Sequence, residues 1–308
     1  MGPLSRAAGP LAACMLSVPI GAHAQSRGVY PLGMTAVGSG VTPDPGFTYA
    51  NQLLIYSRDE SKADDGSTLP LSGQNAVIMD MNSFVWVSRR TFLGGAHYSA
   101  VATLPVAKNQ LVSDIHGQLS GGGGFADSYY LPLVLGWNKE GASIRVMAGI
   151  LAPTGRFAEG ASDNVGSGYW TPTLSSGQTV PLTRNHSVTF SAFQLYEWHT
   201  TQQGTGTKPG DTINLDYSLI RTFAFAKGPT RLQVGLAGYE QRQTTAKTGP
   251  AVTPEQSRER YAINAVGFVT NLVFPNHGFN AGVKFFEEFG NRAAYQGYSF
   301  QVSGAVSF

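Results

Sequence analysis

Cysteine is almost missing from this chain: its 308 residues include one, Cys14, close to the N-terminus. No intramolecular disulfide can form, so the chain depends on its fold alone. Charge is scarce too, at 13% of residues, with 21 Lys and Arg against 19 Asp and Glu. That near-neutral balance offers no basic field for nucleic acid and no acidic field for cations. Beyond residue 24 no apolar run approaches the length of a membrane helix, and helical amphipathic stretches are rare. The six histidines are scattered without ligand spacing, so neither a metal nor a cofactor is expected.

What is abundant is Gly (38 residues) and aromatic side chains (11%). The segment Tyr298–Phe308 is the most telling. Counting back from Phe308, alternate positions read Phe, Val, Gly, Val, Phe, Tyr, and those between read Ser, Ala, Ser, Gln, Ser. A period of two puts the two sets on opposite faces of a strand. An apolar face with aromatics near both ends, flush with the C-terminus, fits the last strand of a bacterial outer-membrane β-barrel. Phe308 is then the expected assembly signal, read by the barrel assembly machinery. A mean hydropathy of -0.09 with no long apolar run agrees, because barrel strands average an apolar and a polar face.

Residues 1–24 carry Arg6, an apolar stretch Leu11–Val18 and then Ala22-His23-Ala24. Those are the n-region, h-region and cleavage site of a signal peptide, so export by a cleaved leader is expected. Residues 25–45, with Pro31, Pro43 and Pro45, read as a flexible N-terminal leader able to tuck into the barrel mouth. The barrel itself is expected over 46–308.

Period-two segments predict about twelve strands, near 46–58, 75–88, 91–104, 125–137, 142–152, 168–182, 186–199, 211–226, 230–243, 260–274, 278–289 and 297–308. Ile144, Val146, Ala148 and Ile150 oppose Arg145 and Met147, and Ile213, Leu215, Tyr217 and Leu219 oppose Asn214, Asp216 and Ser218. The connections alternate. Long polar segments follow odd strands (59–74, 105–124, 153–167, 200–210, 244–259, 290–296), and tight turns follow even ones. An antiparallel up-and-down barrel with both termini in the periplasm shows this asymmetry, its long loops lying outside.

Several motifs resemble a known family. Pro45–Asn51 opens the first strand, and His97-Tyr98 precedes Leu104-Pro105-Val106. Phe125–Leu133 leads to Leu135-Gly136-Trp137. Ala152–Phe157 and Asn164–Thr171 follow, then Tyr196-Glu197 and Pro209-Gly210. Together they are similar to the SphA-like outer-membrane proteins, the family labelled for the meta pathway of phenol degradation. The resemblance spans essentially the whole chain after the leader. It implies an outer-membrane transporter that takes up small hydrophobic or aromatic compounds passively. The stretch before Asp127 departs from the tighter glycine-aspartate turn of that family, so no role is carried over to Asp127.

On inferred lumen faces lie Asp80, Asn82, Arg145, Asp216, Arg231, Lys284 and Glu288. They serve either as a polar solute path or as a charge network stiffening a narrow barrel. Trp170 and Trp198 lie near the outer loops, as girdle residues or as an outer vestibule for apolar solutes, from which a solute leaves sideways through the wall. Two other readings stay open. One is a structural or adhesive barrel that conducts nothing. The other is a lipid hydrolase using His97 and Ser99, which share a strand face but lack an evident third member.

Overall fold

The computed structural model describes residues 28–69, 73–113, 117–225 and 228–308. The expected signal peptide, residues 1–24, lies outside them. Strands form where the sequence alternates, because a lipid-facing wall must present an apolar side chain at every second position while pairing all its backbone groups. The chain runs β1 (Gly46–Lys62), β2 (Gly73–Phe92), β3 (Ala96–Ser113), β4 (Gly117–Phe125), β5 (Ser128–Lys139), β6 (Ala142–Ala152) and β7 (Thr171–Pro181). It continues with β8 (Val188–Glu197), β9 (Thr212–Ala224), β10 (Arg231–Gln243), β11 (Ala262–Phe274), β12 (Phe279–Glu288) and β13 (Ala294–Ser307). A short helix, Pro254–Arg258, sits in the β10–β11 loop under a Thr253/Gln256 capping box.

All neighbours are antiparallel, and β1 pairs with β13 from Thr48↔Ser307 to Lys62↔Ala294, which closes the ring. That ring holds twelve strands, with β4 as an extra one. β4 pairs with the far half of β3, from Val106↔Phe125 to Ser113↔Gly117, whereas β5 pairs with its near half, from His97↔Gly136 to Thr103↔Tyr129. One wall strand is thus interrupted at Ala126-Asp127. This corrects the expected loop over 105–124. Proline normally ends a strand because it has no N–H to donate. Here β3 passes through Pro105, whose position faces the interruption. Its carbonyl still accepts from Ala126 N at 2.9 Å.

Outward positions alternate as expected. Ile144, Val146, Ile213, Leu219, Phe268 and Tyr298 are exposed on the outer face, while Met147, Asp216, Ser218 and Ser299 are buried inside. Aromatics gather at the short-turn rim, where Phe47 lies 6.3 Å from both Phe84 and Phe308. Phe308 N donates to Phe47 O at 2.8 Å, so the last residue is tied to the first strand. The first strand's entry and the last strand's exit share this end.

Residues 28–42, in the segment read as a leader able to tuck into the barrel mouth, lie inside the lumen. From residue 28, beside the loop ends of β8, β9 and β11, the chain winds to Thr42 at the turn end of β5. Its backbone bonds follow one another down the wall. Val29 N and Tyr30 N donate to Glu197 Oε1 at 2.9 and 2.8 Å. Leu32 O accepts from Gln301 Nε2 at 2.9 Å, and Ala36 O from Ser218 Oγ at 2.6 Å. Thr42 O accepts from Asn138 Nδ2 at 2.9 Å. A buried segment without regular structure is tolerated only if its main-chain groups find partners, and the polar wall residues supply them. Tyr30, Leu32 and Ala36 pack into the main apolar cluster with Phe193, Leu195, Ile220, Tyr239 and Phe286. Room for the segment comes partly from Gly177 on the wall, where a Cβ would stand 2.1 Å from Ser39 O.

Candidate functional site

The plug leans on β8, β9, β12 and β13 and leaves a cavity of about 360 Å³ on the opposite side. Its wall is Val77, Met79 and Met81 from β2, Thr103, Pro105 and Asn109 from β3, Tyr129 from β5 and Leu151 from β6. Val29, Pro31 and Met34 of the plug form the floor, and Phe157, Val165 and Tyr169 from the β6–β7 loop form the roof. Ala126 and Asp127, at the interruption of the wall, also border it. The volume lies at the lower end of the range of about 300–1,000 Å³ typical of small-molecule sites.

The polar groups around this chamber are bonded to protein. Asp127 accepts Gly155 N on Oδ1 at 3.0 Å and Ser167 N on Oδ2 at 2.7 Å, which clasps both ends of the roof loop. Asn109 accepts Gly122 N at 2.8 Å and donates to Asn164 O at 2.7 Å. Gln202 donates to Ser167 O at 2.8 Å and accepts from Thr205. Gly28 N donates to the Tyr261 hydroxyl at 2.6 Å. What remains to meet a solute is methyl, thioether and ring surface, a lining that favours apolar molecules. Tyr169 is braced edge-on against His199, ring centres 5.1 Å apart. Burial holds the His199 imidazole below its ordinary value, with Glu197 and Asp211 pulling the other way.

Below the plug, toward the short turns, lies a second cavity of about 420 Å³. Its lining is mixed: Gln52, Thr179, Gln233, Asn271, Asn280, Lys284 and Ser303 are polar, while Val37, Val41, Ile220 and Val273 are apolar.

The predicted lumen residues separate into three groups. Arg145, Asp216, Lys284 and Glu288 do lie inside. Arg145 Nε donates to Ser39 O at 2.8 Å. Asp216 takes the Tyr30 hydroxyl at 2.6 Å, Gly33 N at 3.0 Å and Thr35 N at 3.1 Å. Lys284 Nζ donates to Gly33 O at 2.7 Å and Met34 O at 2.9 Å. Glu288 is paired with Arg58 at 2.7 Å and also accepts from Tyr239 and Asn291. Arg231 is exposed at the turn end of β10. Asp80 and Asn82 are a correction: they share the face of the exposed Ile78, Phe84 and Trp86, on the outside of the barrel. There Asp80 accepts from Asn51 at 2.6 Å and Asn82 at 3.2 Å, and Tyr49 donates to Asn82 at 2.6 Å. The alternation of β2 misleads because its lumen face, Val77, Met79 and Met81, is as apolar as a lipid face.

Trp170 and Trp198 are exposed and do not border the chamber; Tyr169 does. Trp198 packs at a tilt against Tyr196 with ring centres 4.7 Å apart, on the outer face of β8 and just beyond it. His97 Nδ1 lies 2.9 Å from Ser88 O, and the buried Ser99 hydroxyl has no hydrogen-bond partner among the described residues. The nucleophile–base bond that hydrolysis requires is therefore not formed.

The sequence offers a leader able to tuck into the barrel mouth, but not the depth of the plug or the Asp127 clasp. The apolar run Val29-Tyr30-Pro31-Leu32 inside an otherwise turn-rich leader is the signal that could have marked a buried segment.

Residues 58–303 match the family model described as "Putative MetA-pathway of phenol degradation". No curated protein matches the sequence. Among solved structures, the chain is similar to the COG4313 outer membrane channel from Pseudomonas putida F1. Its TM-score is 0.69 at 11% identity, covering 87% of this chain and 97% of that one. It is more distantly similar to the β domain of the Bordetella autotransporter BrkA (TM-score 0.49, 12% identity, 86% and 100% covered). The translocator domain of NalP from Neisseria meningitidis stands at the same distance (TM-score 0.49, 10% identity, 88% and 91% covered). The likeness to the Pseudomonas putida channel concerns the fold, an outer-membrane barrel. With the family model covering most of its length, the chain belongs to the phenol-degradation family of outer-membrane proteins.

Proposed function

We propose that this barrel carries small apolar molecules, aromatic hydrocarbons among them, passively across the outer membrane. The long loops face outward and the short turns face the periplasm, as the lengths of the connections suggest. A solute then enters beneath the roof loop and settles in the apolar chamber. One observation carries the reading: the chamber is lined mainly by apolar side chains, Val77, Met79, Met81, Pro105 and Leu151 among them, where a barrel for water-soluble solutes would be polar. Transfer of apolar surface from water into such a chamber is favourable at roughly 25 cal/mol per Å². Arg145, Asp216 and Lys284 serve in this reading as latches for the plug, with Glu288 as half of a stiffening ion pair. The dense bonding of the plug favours a second reading, a closed barrel that conducts nothing.

Uptake of labelled toluene by proteoliposomes separates the two. Wild-type protein should raise uptake above empty vesicles, and Met79→Glu, which puts a charge on the chamber wall, should bring it back to background. Equal uptake with and without the protein would leave the closed-barrel reading standing.

A further inference from the structure

The two cavities lie on opposite sides of the plug, and Met34 is the residue that borders both. Its main chain is fixed from two sides. Asp216 takes the N–H groups of Gly33 and Thr35, the residues before and after it. Lys284 donates to the carbonyls of Gly33 and of Met34 itself. Gly33 sits at φ +75°, and a Cβ there would stand 2.8 Å from the Phe286 ring, so this turn has little freedom to shift. The Met34 side chain, by contrast, is half-buried. It packs against both apolar clusters, the large one around the plug and the smaller one of Leu54, Tyr56 and Met81.

We propose that Met34 is the gate of this channel: its side chain swings between the chambers while the plug backbone stays in place. Methionine suits the task, being unbranched, with three rotatable bonds and a sulfur that contacts aromatic rings favourably. Rotamer changes of this kind take nanoseconds or less where the side chain is not tightly packed. A solute held against Met79 and Met81 then passes Met34 into the lower, more polar cavity, which binds it less well and releases it toward the periplasm. Selection by size follows, since the opening is set by one side chain rather than by removal of the whole plug. The competing exit is the interruption of the wall at Ala126-Asp127, which borders the upper chamber without involving Met34.

This inference rests on the transport reading above, and the experiment keeps the two apart. Wild type, Met34→Ala and Met34→Trp are reconstituted, and three quantities are measured: toluene binding by saturation-transfer NMR, toluene flux, and small-ion conductance. Heat-modifiable migration on gels confirms that each barrel is folded. Met34→Ala should raise flux and conductance several-fold, and Met34→Trp should lower both several-fold while toluene binding persists. Flux through Met34→Trp equal to wild type, with binding retained, would overturn the gate and point to the wall. Unchanged conductance in Met34→Ala would also overturn it. Absence of toluene binding in wild type would remove the transport reading, and the gate with it.

Discussion

Replacing Asp216 with Ala removes the acceptor at the centre of the plug. Three donors lose this carboxylate together: the Tyr30 hydroxyl, Gly33 N and Thr35 N. The Tyr30 hydroxyl keeps Thr35 Oγ1 and Thr35 N keeps the Tyr30 hydroxyl, so Gly33 N is the donor left unsatisfied. Each buried donor left unsatisfied costs about 1–3 kcal/mol. Water entering the vacated space recovers part of this and the two weakened bonds add to it, so the plug should lose about 2–4 kcal/mol of docking free energy. The barrel wall should persist, because the ladder of Asp216 with Phe193 and Tyr239 is made by main-chain groups. At about 1.4 kcal/mol per tenfold, the undocked population rises more than tenfold. A single cysteine at Val37, on the plug beside the lower cavity, reports this through its rate of reaction with a bulky maleimide. The described residues contain no cysteine, so the background is low. Labelling should accelerate strongly with Asp216→Ala and less with Asp216→Asn, which keeps one acceptor oxygen. Ser218→Ala, which removes the single bond to Ala36 O, should accelerate it about tenfold or less, in line with about 1 kcal/mol. Equal rates in all four proteins would show that these bonds do not hold the plug.

Two further outcomes follow from other polar groups. Arg58→Ala strips Glu288 of its cation while leaving it buried, at a cost of about 3–5 kcal/mol. Heat-modifiable migration should shift to a lower temperature, and pairing Arg58→Met with Glu288→Met should restore most of the loss; an unchanged transition in Arg58→Ala would refute the assignment. His199 favours its neutral form because it is buried, so its contribution is intact above the unfolded value of about 6.5 and declines as pH falls below it. Protease sensitivity of the β8–β9 loop should therefore rise between about pH 7.5 and pH 5.5, and His199→Gln should flatten that dependence.

The wall was legible because lipid imposes its rule residue by residue. β6, β9, β12 and β13 alternate cleanly, and their registers match the sequence pattern. On β2 the rule fails because the inner face is apolar too. Lipid and an apolar lumen demand the same side chains, so Val77, Met79 and Met81 read as outward and Asp80 and Asn82 as inward. Hydropathy alternation gives the period but not the sign when both sides are dry. β4 was hidden for a different reason. Gly121–Gly124 has no side chains to alternate, and Pro105 signalled an end that the interruption opposite made unnecessary. The plug was least legible, because it is held through its own N–H and C=O groups, which every non-proline residue carries.

That last point explains how the lumen divides. The wall residues that serve the upper plug, Glu197, Asp216, Ser218, Lys284 and Gln301, lie on β8, β9, β12 and β13. The chamber wall comes mainly from β2, β3, β5 and β6, whose contributions there are largely Val, Met, Pro, Tyr and Leu. A segment whose exposed chemistry is backbone must be met by polar side chains, and a solute whose surface is hydrocarbon must be met by apolar ones. One barrel satisfies both by giving each a side of its wall. The plug leans away from the apolar side, and the space left there is the chamber. On this argument the inward-facing hydropathy of each strand locates the cavity, and the strands with polar interiors mark where the chain itself already fills the barrel.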